Sequence, residues 1–140
     1  MRNALRALFC LAIALSLTMP AFAAGAKDLE STPQAKTYRA NEKAIATGDI
    51  EGYKKTMSAE SLKMMDSQSK EMKKSPKEIL DFIKMMAPTG VKLTDLKVDG
   101  KKATLSMTGK SDGQVMNGSA DMVEEGGQWK MNKQSWSNAK

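Results

Sequence analysis

Around residues 88–90 the spacing of apolar residues changes from helical to alternating, and that switch constrains the fold more than any single residue. Before it, Ser75-Pro76-Lys77-Glu78 is a capping box with proline at the first helical position. Ile79, Phe82, Ile83 and Met86 then follow at i, i+3, i+4 and i+7, so a helix runs to Pro88-Thr89-Gly90. Earlier starts are just as readable. Thr32-Pro33 opens a helix carrying Ala35, Tyr38 and Ile45 and stopped by Gly48. Asp49 caps a short helix with Ile50, Tyr53 and Met57 on one side, and Ser58 caps another with Leu62, Met65 and Met72.

After the switch the period is two. Val91 and Leu93 alternate, and Leu96 and Val98 alternate one step out of phase, which predicts a bulge or bend near Asp95. Asp99-Gly100 is a hairpin signal leading to Ala103, Leu105 and Met107 on one face. A loop at Lys110 to Gly113 precedes Met116, Gly118, Ala120 and Met122, and Gly126-Gly127 turns the chain toward Trp129, Met131 and Trp136. Helices first and a meander afterwards predict an α+β class, with N-terminal helices packed on a curved antiparallel sheet of about four strands. Residues 33–137 form this single domain.

The start of the chain reads differently. Arg2 and Arg6 precede an apolar run from Ala7 to Leu17, and Ala21-Phe22-Ala23 follows as a small-x-small cleavage site. Residues 1–23 therefore read as a signal peptide and imply a periplasmic or secreted protein. The run falls short of the roughly 20 apolar residues a membrane span needs. Residues 24–32 are small and polar and read as a flexible leader. The sole cysteine, Cys10, lies inside the signal, so the mature chain has neither cysteine nor histidine. Disulfides are excluded, Ser-His and Cys-His nucleophiles have no base, and zinc loses its usual ligands. No metal or other cofactor is expected.

Removing Arg2 and Arg6 from 22 basic residues leaves 20 against 16 acidic ones, a net charge of +4. Lys54, Lys55, Lys63, Lys70, Lys73, Lys74 and Lys77 account for this excess, with Glu60, Asp66 and Glu71 between them. Such a run usually marks a solvated helix face; the alternative is contact with an anionic envelope surface. Nucleic acid is not an expected partner, because export separates the two and no aromatics interleave with these lysines. Gly109-Lys110-Ser111-Asp112-Gly113 matches the G-x-S-x-G pattern, but it joins two strands rather than a strand and a helix, and reads as a hairpin loop. Asn117-Gly118-Ser119 is a formal glycosylation sequon within a strand. The mature chain has ten methionines and six leucines. No two are placed at the spacing that would chelate copper(I) locally, so the reading is an adaptable core or pocket lining.

The chain resembles the nuclear-transport-factor-like superfamily, the cone-shaped fold shared with ketosteroid isomerases and the lumazine-binding-like branch. The resemblance rests on Gly48-Asp49 with Tyr53, on Asp99-Gly100-Lys101-Lys102-Ala103, and on the stretch from Gly118 through Glu124-Glu125-Gly126-Gly127-Gln128-Trp129-Lys130-Met131 to Trp136. It implies a pocket enclosed by sheet and helices, and often a homodimer formed through the sheet. The function expected is an exported, non-catalytic binding or interaction module of the bacterial envelope, holding a small apolar ligand or a partner protein. Tyr38, Tyr53, Phe82, Met107 and Trp129 are the candidate lining, although each also fits a plain core position. The alternative is a small isomerase or dehydratase-type enzyme with Asp95 pointing inward as the base.

Overall fold

The computed structural model describes residues 26–139, so the stretch at 1–23 that reads as a signal peptide lies outside the described residues. Helices α1 (Ala26–Leu29), α2 (Pro33–Thr47), α3 (Ile50–Thr56), α4 (Ala59–Met72) and α5 (Pro76–Met86) come first. Strands β1 (Thr89–Asp99), β2 (Lys102–Ser111), β3 (Gln114–Glu125) and β4 (Gln128–Asn138) follow as one antiparallel sheet in that order. The α+β class, helices before a four-stranded sheet, is the one observed. Among the described residues no helix is long and apolar enough to cross a membrane.

The helix starts are where the side chains put them. Thr32, Asp49, Ser58 and Ser75 each accept a hydrogen bond from the backbone N–H three residues on, and Glu78 closes the capping box at Ser75. Each such cap contributes about 1 kcal/mol. Gly48 ends α2 in the left-handed region, φ 69°, as its place after the last apolar residue requires.

The segment before α2 departs from the flexible-leader reading. Ala26–Leu29 form a helical turn, and Leu29 is fully buried in the core against the sheet. The Thr32 hydroxyl donates to the Leu29 carbonyl at 2.7 Å, and Arg39 binds Glu30 through two nitrogens. One apolar side chain with a shaped recess holds a segment whose polar composition reads as mobile.

The register of the sheet shifts at three places, one of them between Thr89 and Lys92 at the start of β1, and the other two matter for what faces the helices. In β1 the register shifts between Leu93 and Asp95. Leu93 pairs with Met107, and the following partners are Asp95 with Ser106 and Leu96 with Leu105. Thr94 is thus the extra residue of a bulge, beside the expected position. In β4 the shift lies between the partners of Asp121 and Met122, which makes Asn132 the extra residue.

The apolar side chains form two clusters rather than one. Leu29, Ala35, Tyr38, Leu93, Leu105, Met107, Met122 and Met131 pack between sheet, α1 and α2. Ala44, Ile45, Tyr53, Met65, Ile79 and Leu80 pack among the helices. A fully buried leucine such as Leu80 or Leu105 contributes about 1.5–3 kcal/mol. Helix α2 joins the clusters and carries two stripes. Pro33, Lys36, Thr37 and Ala40 form one, and Tyr38, Asn41, Glu42 and Ile45 form the other. Each stripe has the i, i+3, i+4, i+7 spacing, so α2 stands as a wall with a different surface on each side.

Candidate functional site

The second stripe of α2 faces a cleft of about 1100 Å³ between the two clusters. Tyr53 and Met57 border it from the α3 corner, Met64 and Met65 from α4, and Phe82, Ile83 and Met86 from α5. Val91, Met116, Met131 and Trp136 close it at the sheet. Its wall therefore draws on both clusters: Ile45, Tyr53, Met65 and Ile79 from the helical one, Tyr38 and Met131 from the other. Six methionines line it, Met57, Met64, Met65, Met86, Met116 and Met131, none within hydrogen-bonded helical spacing of another. Unbranched thioether side chains fill irregular space and adjust to what they touch. Phe82, Met64 and Met86 stand at its mouth, 47%, 56% and 66% exposed.

A few polar groups are fixed within this apolar wall. The Tyr38 hydroxyl accepts from Gln134 Nε2 at 3.4 Å, while the Arg39 guanidinium lies 5.9 Å from the ring centroid. Burial pushes the Tyr38 phenol up to about 12, with the Glu42 carboxylate adding to the effect. Burial also raises the Tyr53 phenol. Both rings are thus neutral near neutral pH and are hydrogen-bonding groups, not bases. Asn41 donates to Thr56 Oγ1 at 2.8 Å and to the Met57 sulfur at 3.4 Å. Arg39 ties Glu42, at 2.8 Å, to Glu30 and to the Val91 carbonyl. The same guanidinium holds the Glu30 carboxyl below its ordinary range.

At the α3–α4 corner, the Ser58 N–H donates to the Met131 carbonyl at 2.8 Å and the Ser58 hydroxyl to Asn132 Oδ1 at 2.7 Å. The Ser61 hydroxyl donates to the Asn132 carbonyl. The β4 bulge thus presents Asn132 to the helices and fixes the floor of the cleft. Among the described residues every buried side-chain nitrogen and oxygen has a partner.

The candidate residues divide three ways. Tyr38, Tyr53 and Phe82 meet at the cleft. Met107 is 2% exposed within the sheet cluster and does not line it, because the strand pairing sets it against Leu93. Trp129 lies on the other side of α2, in a second depression of about 370 Å³. The tryptophan at the cleft is Trp136, seated across Gly118 and Gly109. Trp136 and six methionines join Tyr38, Tyr53 and Phe82 at the cleft, and the reading of methionine as core or pocket lining did not say which positions would do so. Their signal, apolar residues on inward strand and helix positions, is shared with every core residue.

Asp95 is corrected by the bulge. Its ladder partner is Ser106, while Leu93 and Leu96 pair with the buried Met107 and Leu105. Asp95 therefore projects with Ser106 from the sheet face opposite the helices, and the cleft lining does not include it. Ser111 reaches the cleft, but Asp112 and Gly113 form a two-residue turn with positive φ between β2 and β3, not a nucleophile elbow. The lysine run spreads over several surfaces. Lys54 pairs with Glu51 and Lys77 with Asp81, and Lys63 is exposed on α4. Lys70, Lys73 and Lys74 cluster where α4 ends, and Lys55 borders the smaller depression.

No family model matches the chain, and no curated protein matches it. Among solved structures, it is similar to an NTF-2-like protein of unknown function from Burkholderia xenovorans LB400, at 10% identity. That match covers 79% of this chain and 88% of the other, with a TM-score of 0.47.

Proposed function

We propose that this protein is an exported binding module of the bacterial envelope that holds an apolar small molecule in its methionine-lined cleft without acting on it chemically. The observation that carries this reading is the cleft itself: about 1100 Å³ of space left open where the two apolar clusters fail to merge. Ligand sites typically occupy roughly 300–1000 Å³, with apolar walls and a few placed polar groups. Methionine, phenylalanine and tryptophan supply the wall, and Tyr38, Asn41 and Gln134 supply the polar points. The non-catalytic part rests on the groups at hand. Both phenols are held neutral by burial, Glu42 is engaged by Arg39, and the chain has no histidine. The envelope assignment rests on the signal pattern at residues 1–23.

Titration of the mature protein with N-phenyl-1-naphthylamine, a neutral fluorescent probe, tests the reading. Saturable binding is expected, and Phe82→Glu is expected to weaken it more than about tenfold by placing a carboxylate in the apolar mouth. Because Phe82 is 47% exposed, thermal stability changes by only about 0.5 kcal/mol. Equal probe binding by both proteins, or none by either, overturns the reading. Native mass spectrometry of the mature protein gives a second readout: a mass excess that is lost on denaturation.

A further inference from the structure

We infer that the depression on the opposite side of α2 is a separate site for an oxyanion of the phosphate type. It measures about 370 Å³, and three of its lining residues are lysines brought in by different elements. Lys36 comes from α2, Lys55 from the last turn of α3, and Lys130 from β4. No carboxylate belongs to its lining. Three cations gathered in one concavity repel each other, and an anion placed among them relieves that repulsion.

No acidic side chain offsets these charges: Lys36, Lys55 and Lys130 form no ion pair among the described residues. The two acids nearest Lys130 in sequence do not fill the role. Glu125 turns both oxygens, at 3.2 Å, to the Ala59 N–H at the start of α4. Glu124 is the ladder partner of Trp129 but stands outside the depression.

The site is also held in shape. The Lys130 ammonium donates to the Lys55 carbonyl at 2.5 Å, which sets it against the negative end of α3 and beside the Lys55 chain. Two of its three N–H donors remain for a ligand. The Thr37 hydroxyl donates to the Trp129 carbonyl at 3.1 Å and fixes β4 against α2. Trp129, half-buried, gives the depression an apolar side. Dispersed ammonium donors around a partly apolar recess suit a phosphate group carried by a larger molecule, free or as a lipid headgroup.

The test is NMR titration of the mature, nitrogen-15-labelled protein with inorganic pyrophosphate at low salt. The chain has two tryptophans, so the two indole N–H signals separate the sites. The Trp129 signal is expected to move and saturate while the Trp136 signal stays. The Lys36 side chain makes no hydrogen bond among the described residues, so Lys36→Gln leaves the fold intact and weakens binding about tenfold. Lys55→Gln acts alike, and added salt weakens both. Vesicles containing phosphatidic acid form a second arm. Binding to vesicles alone, lost in Lys36→Gln, assigns the phosphate to a lipid; saturable binding of pyrophosphate assigns it to a soluble molecule. The proposal is overturned if neither probe binds, or if Lys36→Gln and Lys55→Gln bind as the parent does. None of these outcomes bears on the apolar cleft.

Discussion

A Cβ added at Gly118 would lie 2.6 Å from Cζ3 of Trp136, and one added at Gly109 would lie 3.2 Å from the same ring. Neither glycine has a positive φ, so both are present for room and not for backbone freedom. Gly118→Ala is expected to cost about 1–3 kcal/mol by overpacking, and Gly109→Ala less. Chemical denaturation measures the cost. Because Trp136 borders the cleft, Gly118→Ala also weakens probe binding. Tyr38 and Tyr53 are the only tyrosines, and both phenols are raised by burial. The folded chain thus retains protons that the unfolded chain releases near pH 10. Stability is unaffected by these groups below about pH 10 and falls as pH rises from there through about 12. Absorbance of phenolate at pH 10 is expected to stay below the half-ionised level of free tyrosine in the native protein. A half-ionised signal there, in protein that is still folded, would contradict the buried placement.

Among the elements, α1 and α5 depart most from what their residues suggest. The four residues of α1 cannot hold a helix by themselves, and Leu29 in the sheet cluster keeps the turn in place. Leu29→Ala is expected to cost about 2–5 kcal/mol in urea unfolding, where a side chain on a mobile leader would cost almost nothing. In α5 the period is helical as expected, but its packed stripe is Ile79, Leu80 and Ile83. Phe82 and Met86, from the same apolar pattern, turn instead to the cleft mouth. The helix packs on α2, α3 and α4, and its remaining apolar side has nothing over it but the open cleft.

At the scale of the whole molecule, the protein is a well-packed sheet layer with a thinner helical lobe. Helix α4 buries only Ser61 and Met65, and α5 only Ile79 and Leu80. By contrast β2 buries Ala103, Leu105, Met107 and Gly109 in succession. Few buried contacts mean low local opening free energy. Amide hydrogen exchange is therefore expected to be fastest in α4 and α5 and slowest in β2 and β3, with a bound apolar ligand protecting α5 selectively. Uniform exchange across both layers would count against the thinner packing of the helical lobe.

Apart from α1, the order of elements, their caps and turns, and the bulge beside Asp95 were legible in the sequence. Each depends on residues a few positions apart: Ser75 with Glu78, Asp99 with Gly100, Val91 and Leu93 against Leu96 and Val98. Periodicity tells which face of an element is apolar, but it does not tell what covers that face. Met107 and Met116 are both inward strand methionines, yet one meets Leu93 and the other borders open space. Trp129 and Trp136 lie on one strand, and α2 separates them into different depressions. Lys36, Lys55 and Lys130 have no local pattern at all. Such convergence depends on where whole helices come to rest on the sheet, and that is decided by the sum of many weak packing contacts between distant residues.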